Sequence, residues 1–114
     1  MFKNLDTVIL YVRNIAKAKE FYTKKLGFIL DYENGDYVCL KISKKSKTRI
    51  ALNAYQKVNH YPGHQTIVLK AKKIETAYRD IKDKGVNILA KLTIKSWGKT
   101  FTFTDPDGNK IEVI

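Results

Sequence analysis

The stretch Thr7-Val8-Ile9-Leu10 recurs as Thr66-Ile67-Val68-Leu69, at an offset of 59 residues along the chain. Apolar residues at helical spacing follow each copy: Ile15, Ala18, Tyr22 and Leu26 after the first, and Ile74, Ala77, Tyr78 and Ile81 after the second. Gly27 and Gly85 stand where these two predicted helices end, and glycine is the usual residue at such a position. The sequence therefore predicts that one strand–helix unit occurs twice.

Three predicted strands follow each helix, so each half reads as a βαβββ unit. The strands are Phe28–Tyr32, Asp36–Ile42 and Thr48–Ala54 in the first half, and one within Asn87–Ile94, then Lys99–Thr104 and Lys110–Ile114 in the second. Asn34-Gly35 is a two-residue hairpin signal. A polar linker, residues 56–63, separates repeats at about 1–55 and 64–114. The prediction is a single α+β domain, residues 1–114, made of two βαβββ units with curved mixed sheets.

The charge of the chain is strongly positive, with a formal value of +11 at pH 7. Of the 22 basic residues 19 are lysines, and they are spread over both halves. Proteins that read nucleic acids depend on arginine forks, of which this chain has few. The charge alone would suit nucleic-acid binding, but the scarcity of arginine and the scattered lysines favour a solvated lysine surface. The positive field still favours anionic small ligands over cationic ones.

No stretch approaches the roughly 18 apolar residues of a membrane helix, and the chain starts on a strand pattern rather than a signal segment. The one cysteine, Cys39, lies in an apolar run and is interpreted as a buried, inert thiol. These features predict a cytoplasmic protein with no membrane partner.

Two motifs carry a resemblance to a known family: FYTKKLGF at residues 21–28 and FTFTDPDGNKIEV at residues 101–113, the latter preceded by Trp97-Gly98. Together with the doubled βαβββ unit they resemble the glyoxalase / bleomycin-resistance / extradiol-dioxygenase family, the vicinal oxygen chelate superfamily. The resemblance covers essentially the whole chain. It implies curved sheets with a ligand cavity on a concave face.

In metal-dependent members of that family, ligands stand on the first and last strands of each unit. By resemblance these positions fall on Thr7, Ala51, Thr66 and Glu112, and only Glu112 has the usual ligand chemistry. No cofactor is therefore expected, and Zn, Ni, Fe or Mn would bind only if the ligands stood elsewhere. His64, two residues before Thr66, would add one ligand to Glu112 and still leave the site short.

The candidate ligand-binding residues are Thr7, Tyr11, Ala51, Tyr55, Thr66, Trp97 and Glu112. Glu112 is either a cavity carboxylate, acting as a base or hydrogen-bond acceptor, or a strand carboxylate paired with a lysine. Trp97 is either part of an aromatic wall with Tyr11, Tyr37 and Tyr55, or a core residue. Asp105 and Asp107 are assigned to turn hydrogen bonds, and His60 is expected to be exposed.

The leading functional prediction is metal-free binding of a small aromatic or anionic molecule, as in the drug-binding branch of the family. A cationic glycopeptide such as bleomycin does not suit the charge of the chain. Two alternatives stay open: a metal-dependent or Glu112-dependent lyase, isomerase or dioxygenase, and a nucleic-acid-binding or regulatory protein. A homodimer is expected, because sheets in so short a chain leave edges and faces to cover.

Overall fold

The computed structural model describes residues 1–114 and contains the predicted βαβββ unit twice. The first unit consists of β1 (Thr7–Tyr11), α1 (Ile15–Glu20), β2 (Ile29–Asn34), β3 (Tyr37–Lys41) and β4 (Arg49–Asn53). The second consists of β5 (Thr66–Leu69), α2 (Ile74–Asp83), β6 (Ile88–Lys95), β7 (Gly98–Thr104) and β8 (Lys110–Val113). The predicted fold class is confirmed.

Each unit forms its own four-stranded mixed sheet. The strand order is β1-β4-β3-β2 in the first sheet and β5-β8-β7-β6 in the second. In both sheets the first strand of the unit runs parallel to the last strand, and the other neighbours are antiparallel. The chain forms two compact units, Met1–Pro62 and Gly63–Ile114.

Local side-chain chemistry sets the ends of the helices. The Asn14 side chain accepts a hydrogen bond of 3.0 Å from the backbone N–H of Lys17 and so caps α1. A π-helical turn, Phe21–Lys25, continues α1, in place of the uninterrupted α-helix that the spacing predicts. Gly27 ends it with a φ of +74°, which glycine adopts without steric cost.

The hairpin between β2 and β3 is present, but its turn differs by one residue from the prediction. Asn34 pairs with Tyr37, so the two central residues are Gly35 and Asp36 rather than Asn34 and Gly35. Gly35 has a φ of +58° and Asp36 has no positive φ, the combination of a type II′ turn. Glycine at the first central position therefore set the register.

The helix of each unit packs against one face of its own sheet, and the core lies between them. In the first unit this core comprises Leu10, Val12, Ala18, Phe21, Tyr22, Val38, Leu40, Ile50 and Leu52; in the second it comprises Ile67, Ile81, Phe101, Phe103, Ile111 and Val113. Tyr78 of α2 meets Phe101 edge-on, with ring centroids 5.0 Å apart. Because strand side chains alternate, the remaining residues point away from the helix, onto what we call the far face of each sheet.

The longest helix, α2, has ten residues. No helix in the structure combines the length and the apolar character needed to cross a bilayer.

Candidate functional site

The far face of the first sheet brings together three of the predicted site residues. Strand register places Thr7 opposite Arg49, Ile9 opposite Ala51, and Tyr11 opposite Asn53. Cross-strand partners share a face, so Thr7, Tyr11 and Ala51 all lie on the far face. Ala51 is fully buried there, whereas Thr7 and Tyr11 are half-buried.

The far face of the second sheet carries two more predicted residues. Register places Thr66 opposite Lys110, and Glu112 between Val68 on one side and Thr102 on the other. Thr66 and Lys110 are exposed, Val68 is 54% exposed, and Glu112 is half-buried. This face is therefore polar and accessible around its single glutamate.

The two sheets can be compared position by position through their registers. Thr7 opposite Arg49 corresponds to Thr66 opposite Lys110, and Ala51 corresponds to Glu112. Each first-strand threonine thus stands beside a basic residue. Sequence reasoning did not select Arg49 or Lys110, although the signal was present in Arg49-Ile50-Ala51 and Lys110-Ile111-Glu112.

The carboxylate of Glu112 is held by a hydroxyl group. Thr100 Oγ1 donates a hydrogen bond of 2.9 Å to Glu112 Oε2, and Thr100 is buried. No lysine forms an ion pair with Glu112. Of the two interpretations of Glu112, the geometry favours a far-face hydrogen-bond acceptor over a lysine-paired carboxylate.

Arg49 is oriented by a neighbouring carboxylate. Its Nε donates to Asp31 Oδ2 at 2.6 Å, and both side chains are partly exposed. This hydrogen bond raises the pKa of Arg49, so the guanidinium stays cationic. Thr7 Oγ1 donates to Asp6 Oδ2 at 2.6 Å.

The predicted aromatic wall is only partly assembled. Tyr11 and Tyr37 both pair with Asn53 and therefore flank it on the far face of the first sheet. Tyr37 also stacks on Tyr32, with centroids 6.1 Å apart, and burial raises the pKa of the Tyr37 hydroxyl. Tyr55 lies beyond the end of β4 and is 54% exposed.

Trp97 lies in the turn between β6 and β7 and is 61% exposed, so the alternative that it fills the core is wrong. The turn has only two residues and lies at the tip of the hairpin, so the Trp97 side chain is not packed into the core.

The expectation that His60 is exposed is also wrong. Its ring stacks on that of Tyr11, with centroids 4.4 Å apart and an interplanar angle of 18°. The Nδ1 atom of His60 is buried and has no hydrogen-bond partner. Stacking on Tyr11, which lies 49 positions earlier in the chain, holds His60 in place. A contact between residues so far apart cannot be predicted from a local sequence pattern.

The turn between β7 and β8 is structural, as expected for Asp105. Asp105 Oδ1 accepts hydrogen bonds of 2.9 Å from the backbone N–H groups of Asp107 and Asn109. Its Oδ2 accepts from the Asn109 side-chain amide, also at 2.9 Å. Asn109 in turn accepts a hydrogen bond from the backbone of Gln65, which ties the turn to the start of β5.

The residues at the family's ligand positions do not fit a divalent metal. They supply one carboxylate, two alcohols and an alanine, and a basic residue faces each alcohol. His64 lies before β5 and is exposed, and no group of three His, Cys, Asp or Glu side chains comes together anywhere in the structure. Burial raises the pKa of the Cys39 thiol, which disfavours the thiolate that a metal would require.

Comparison with known proteins identifies relatives of the whole chain. A family model described as Glyoxalase/Bleomycin resistance protein/Dioxygenase superfamily matches residues 4–113. The uncharacterized protein YetH of Bacillus subtilis (strain 168) is 33% identical over 116 residues, spanning 96% of this chain and 95% of that protein.

Solved structures share the fold. A superfamily member from Sphaerobacter thermophilus DSM 20745 aligns with a TM-score of 0.87 and 24% identity, covering 98% of this chain and 96% of the other. TnmS3, an antibiotic binding protein from Streptomyces sp. CB03234, also aligns with a TM-score of 0.87, at 23% identity, covering 98% of this chain and 94% of that protein.

Proposed function

Because the chain belongs to the Glyoxalase/Bleomycin resistance protein/Dioxygenase superfamily, we propose that it binds a small anionic molecule on the far faces of its sheets, without a metal ion. The observation that carries this proposal is the repeated pairing of a first-strand threonine with a basic residue. Thr7 stands opposite Arg49, and Thr66 stands opposite Lys110.

A basic residue at this position has opposite effects on metals and on anions. Fixed positive charge next to a ligand position repels a divalent cation, whereas guanidinium and ammonium groups form charge-assisted hydrogen bonds with carboxylate or phosphate. The net charge of +11 adds a long-range field of the same sign. Asp31 is paired with Arg49 and offsets its charge, so Lys110 makes the larger local contribution. This local charge and the net charge both favour an anionic ligand.

The aromatic residues support a ligand that also has a flat apolar part. Tyr11 and Tyr37 flank Asn53 on the far face of the first sheet, where their rings offer stacking surface. Among proteins of the same fold, TnmS3 is described as an antibiotic binding protein. This description supports small-molecule binding as a function of proteins with this fold.

The proposal is tested by thermal shift with aromatic compounds of equal size and different charge. We expect 2-naphthoate to raise the unfolding temperature more than the neutral 2-naphthamide, and 2-naphthylmethylamine to raise it least. Added salt should reduce the difference because it screens exposed charges. Lys110→Gln should weaken naphthoate binding, and Lys24→Gln, which removes an exposed charge from the π-helical turn, is the matched control. Greater stabilisation by the amine would contradict the proposal.

A lyase or isomerase that uses Glu112 as a base is the second candidate. The half-buried Glu112 carboxylate, oriented by Thr100, favours it because a general base must be held in a fixed position. In that case Glu112→Gln should abolish turnover of a substrate while its binding persists. If Glu112→Gln weakened ligand binding and the wild-type protein turned over no ligand, the first proposal would stand and the enzymatic one would not.

A further inference from the structure

We infer that Thr100 is a positioning residue for Glu112, and that the far face of the second sheet selects anionic ligands that also carry a hydrogen-bond donor. The inference rests on the proposed function and narrows its ligand class. The ligand would present an O–H or N–H group to Glu112 and its anionic group to Lys110.

The hydrogen bond from Thr100 gives the two oxygens of the Glu112 carboxylate different roles. A threonine hydroxyl has a single proton, and here it is donated to Glu112 Oε2 over 2.9 Å. An ionised carboxylate only accepts hydrogen bonds, so Oε1 stays available as an acceptor. Thr100 is 8% exposed and β-branched, which restricts its rotamers and keeps the carboxylate from turning.

The neighbours of Glu112 leave it open to a ligand. Val68 and Thr102 lie on either side of it in the register, and Val68 is 54% exposed. The Glu112 carboxylate therefore lies in an accessible part of the far face, between the apolar side chain of Val68 and the hydroxyl group of Thr102.

Strand β8 sets the distance between the two groups that would contact the ligand, the Lys110 ammonium and the Glu112 carboxylate. Lys110 and Glu112 are two residues apart on β8 and share the far face, which separates their Cα atoms by about 7 Å. An anion placed against Glu112 would be repelled, so the anionic group belongs beside Lys110 and Thr66. A ligand without a donor would desolvate the carboxylate and leave it unpaired, which is costly.

A pair of probes with this spacing tests the inference: 4-hydroxybenzoate, which has the donor, and 4-methoxybenzoate, in which a methyl group removes it. We expect calorimetry to show about tenfold tighter binding of the hydroxy compound to the wild-type protein, the effect of one hydrogen bond to a charged group. Thr100→Val should abolish this preference and Thr100→Ser should restore it. A merely structural role of Thr100 would lower both affinities together and leave their ratio unchanged.

Thr102→Val is the matched control, because Thr102 lies on the same strand and face but has no hydrogen bond to Glu112. Because Thr102 borders Glu112, the readout is the ratio of the two affinities and not either affinity alone. Thr102→Val should keep the preference for the hydroxy compound. Equal affinities of the two benzoates in the wild-type protein, or an equal loss of preference in Thr102→Val, would overturn the inference and leave anion binding intact. If neither benzoate nor naphthoate bound, the proposed function would fail and this inference with it.

Discussion

Thr100 and Glu112 meet through a hydrogen bond of 2.9 Å on the far face of the second sheet, at the position that Ala51 occupies in the first sheet. The two halves therefore share a backbone plan but not a side-chain chemistry. Where one sheet has a buried methyl group, the other has a carboxylate oriented by a neighbouring strand.

Metal content is predicted to be far below stoichiometric. Glu112 is the one ligand residue among the four family positions, and Lys110 places positive charge beside Thr66. Arg49, opposite Thr7, is paired with Asp31 and is not a metal ligand. Elemental analysis of protein purified without chelator should find well under one equivalent of Zn, Ni, Fe or Mn per chain. A stoichiometric metal in the wild-type protein that disappears in Glu112→Gln would reverse this view, and Glu75→Gln, on the surface of α2, is the control.

The protein is predicted to be a homodimer. The structure leaves large apolar side chains exposed, including Phe2 at 92%, Val58 at 85% and Ile94 at 76%, and its sheets have unpaired edges. Association is the usual way to cover such surface. Light scattering coupled to size exclusion should report twice the chain mass of 13.1 kDa. A monomer throughout the micromolar range would contradict the prediction.

Gly63→Ala is predicted to destabilise the protein more than Gly35→Ala. Both glycines have positive φ, +84° and +58°, so both variants lose about 1 kcal/mol to backbone strain. A Cβ at position 63 would also lie 2.1 Å from the backbone oxygen of Asp107, whereas one at position 35 meets nothing within 4 Å. Denaturant unfolding should show the larger loss for Gly63→Ala, and equal losses would mean that the loop shifts freely.

The internal repeat makes the two helix starts a matched pair. Asn14 caps α1, but Lys73 occupies the same position before α2 and makes no side-chain cap. Asn14→Ala should lower the free energy of unfolding by about 1 kcal/mol, because it removes the cap. Lys73→Ser should raise the free energy of unfolding by less than this, because it supplies a cap that α2 lacks. Denaturant midpoints measure both changes, and an unchanged midpoint in Asn14→Ala would show that the cap contributes nothing.

Local sequence chemistry was enough to predict the doubled fold. Glycines with positive φ end both helices, at Gly27 and Gly85, and the Asn14 cap begins the first one. The strands are readable because alternate residues are apolar. Each of these signals acts over a few residues, so it survives without knowledge of what lies across the sheet.

Contacts between distant residues were decided by the tertiary structure alone. Which side chain faces Thr7 or Thr66 depends on strand register, so Arg49 and Lys110 were not selected from the sequence. The stacking of His60 on Tyr11 likewise joins residues that no pattern relates. The sequence determined the repeated unit, through interactions that span one turn or one hairpin. The tertiary structure decided which residues meet at the candidate site, because a shift of one residue in a strand reverses which face every side chain occupies.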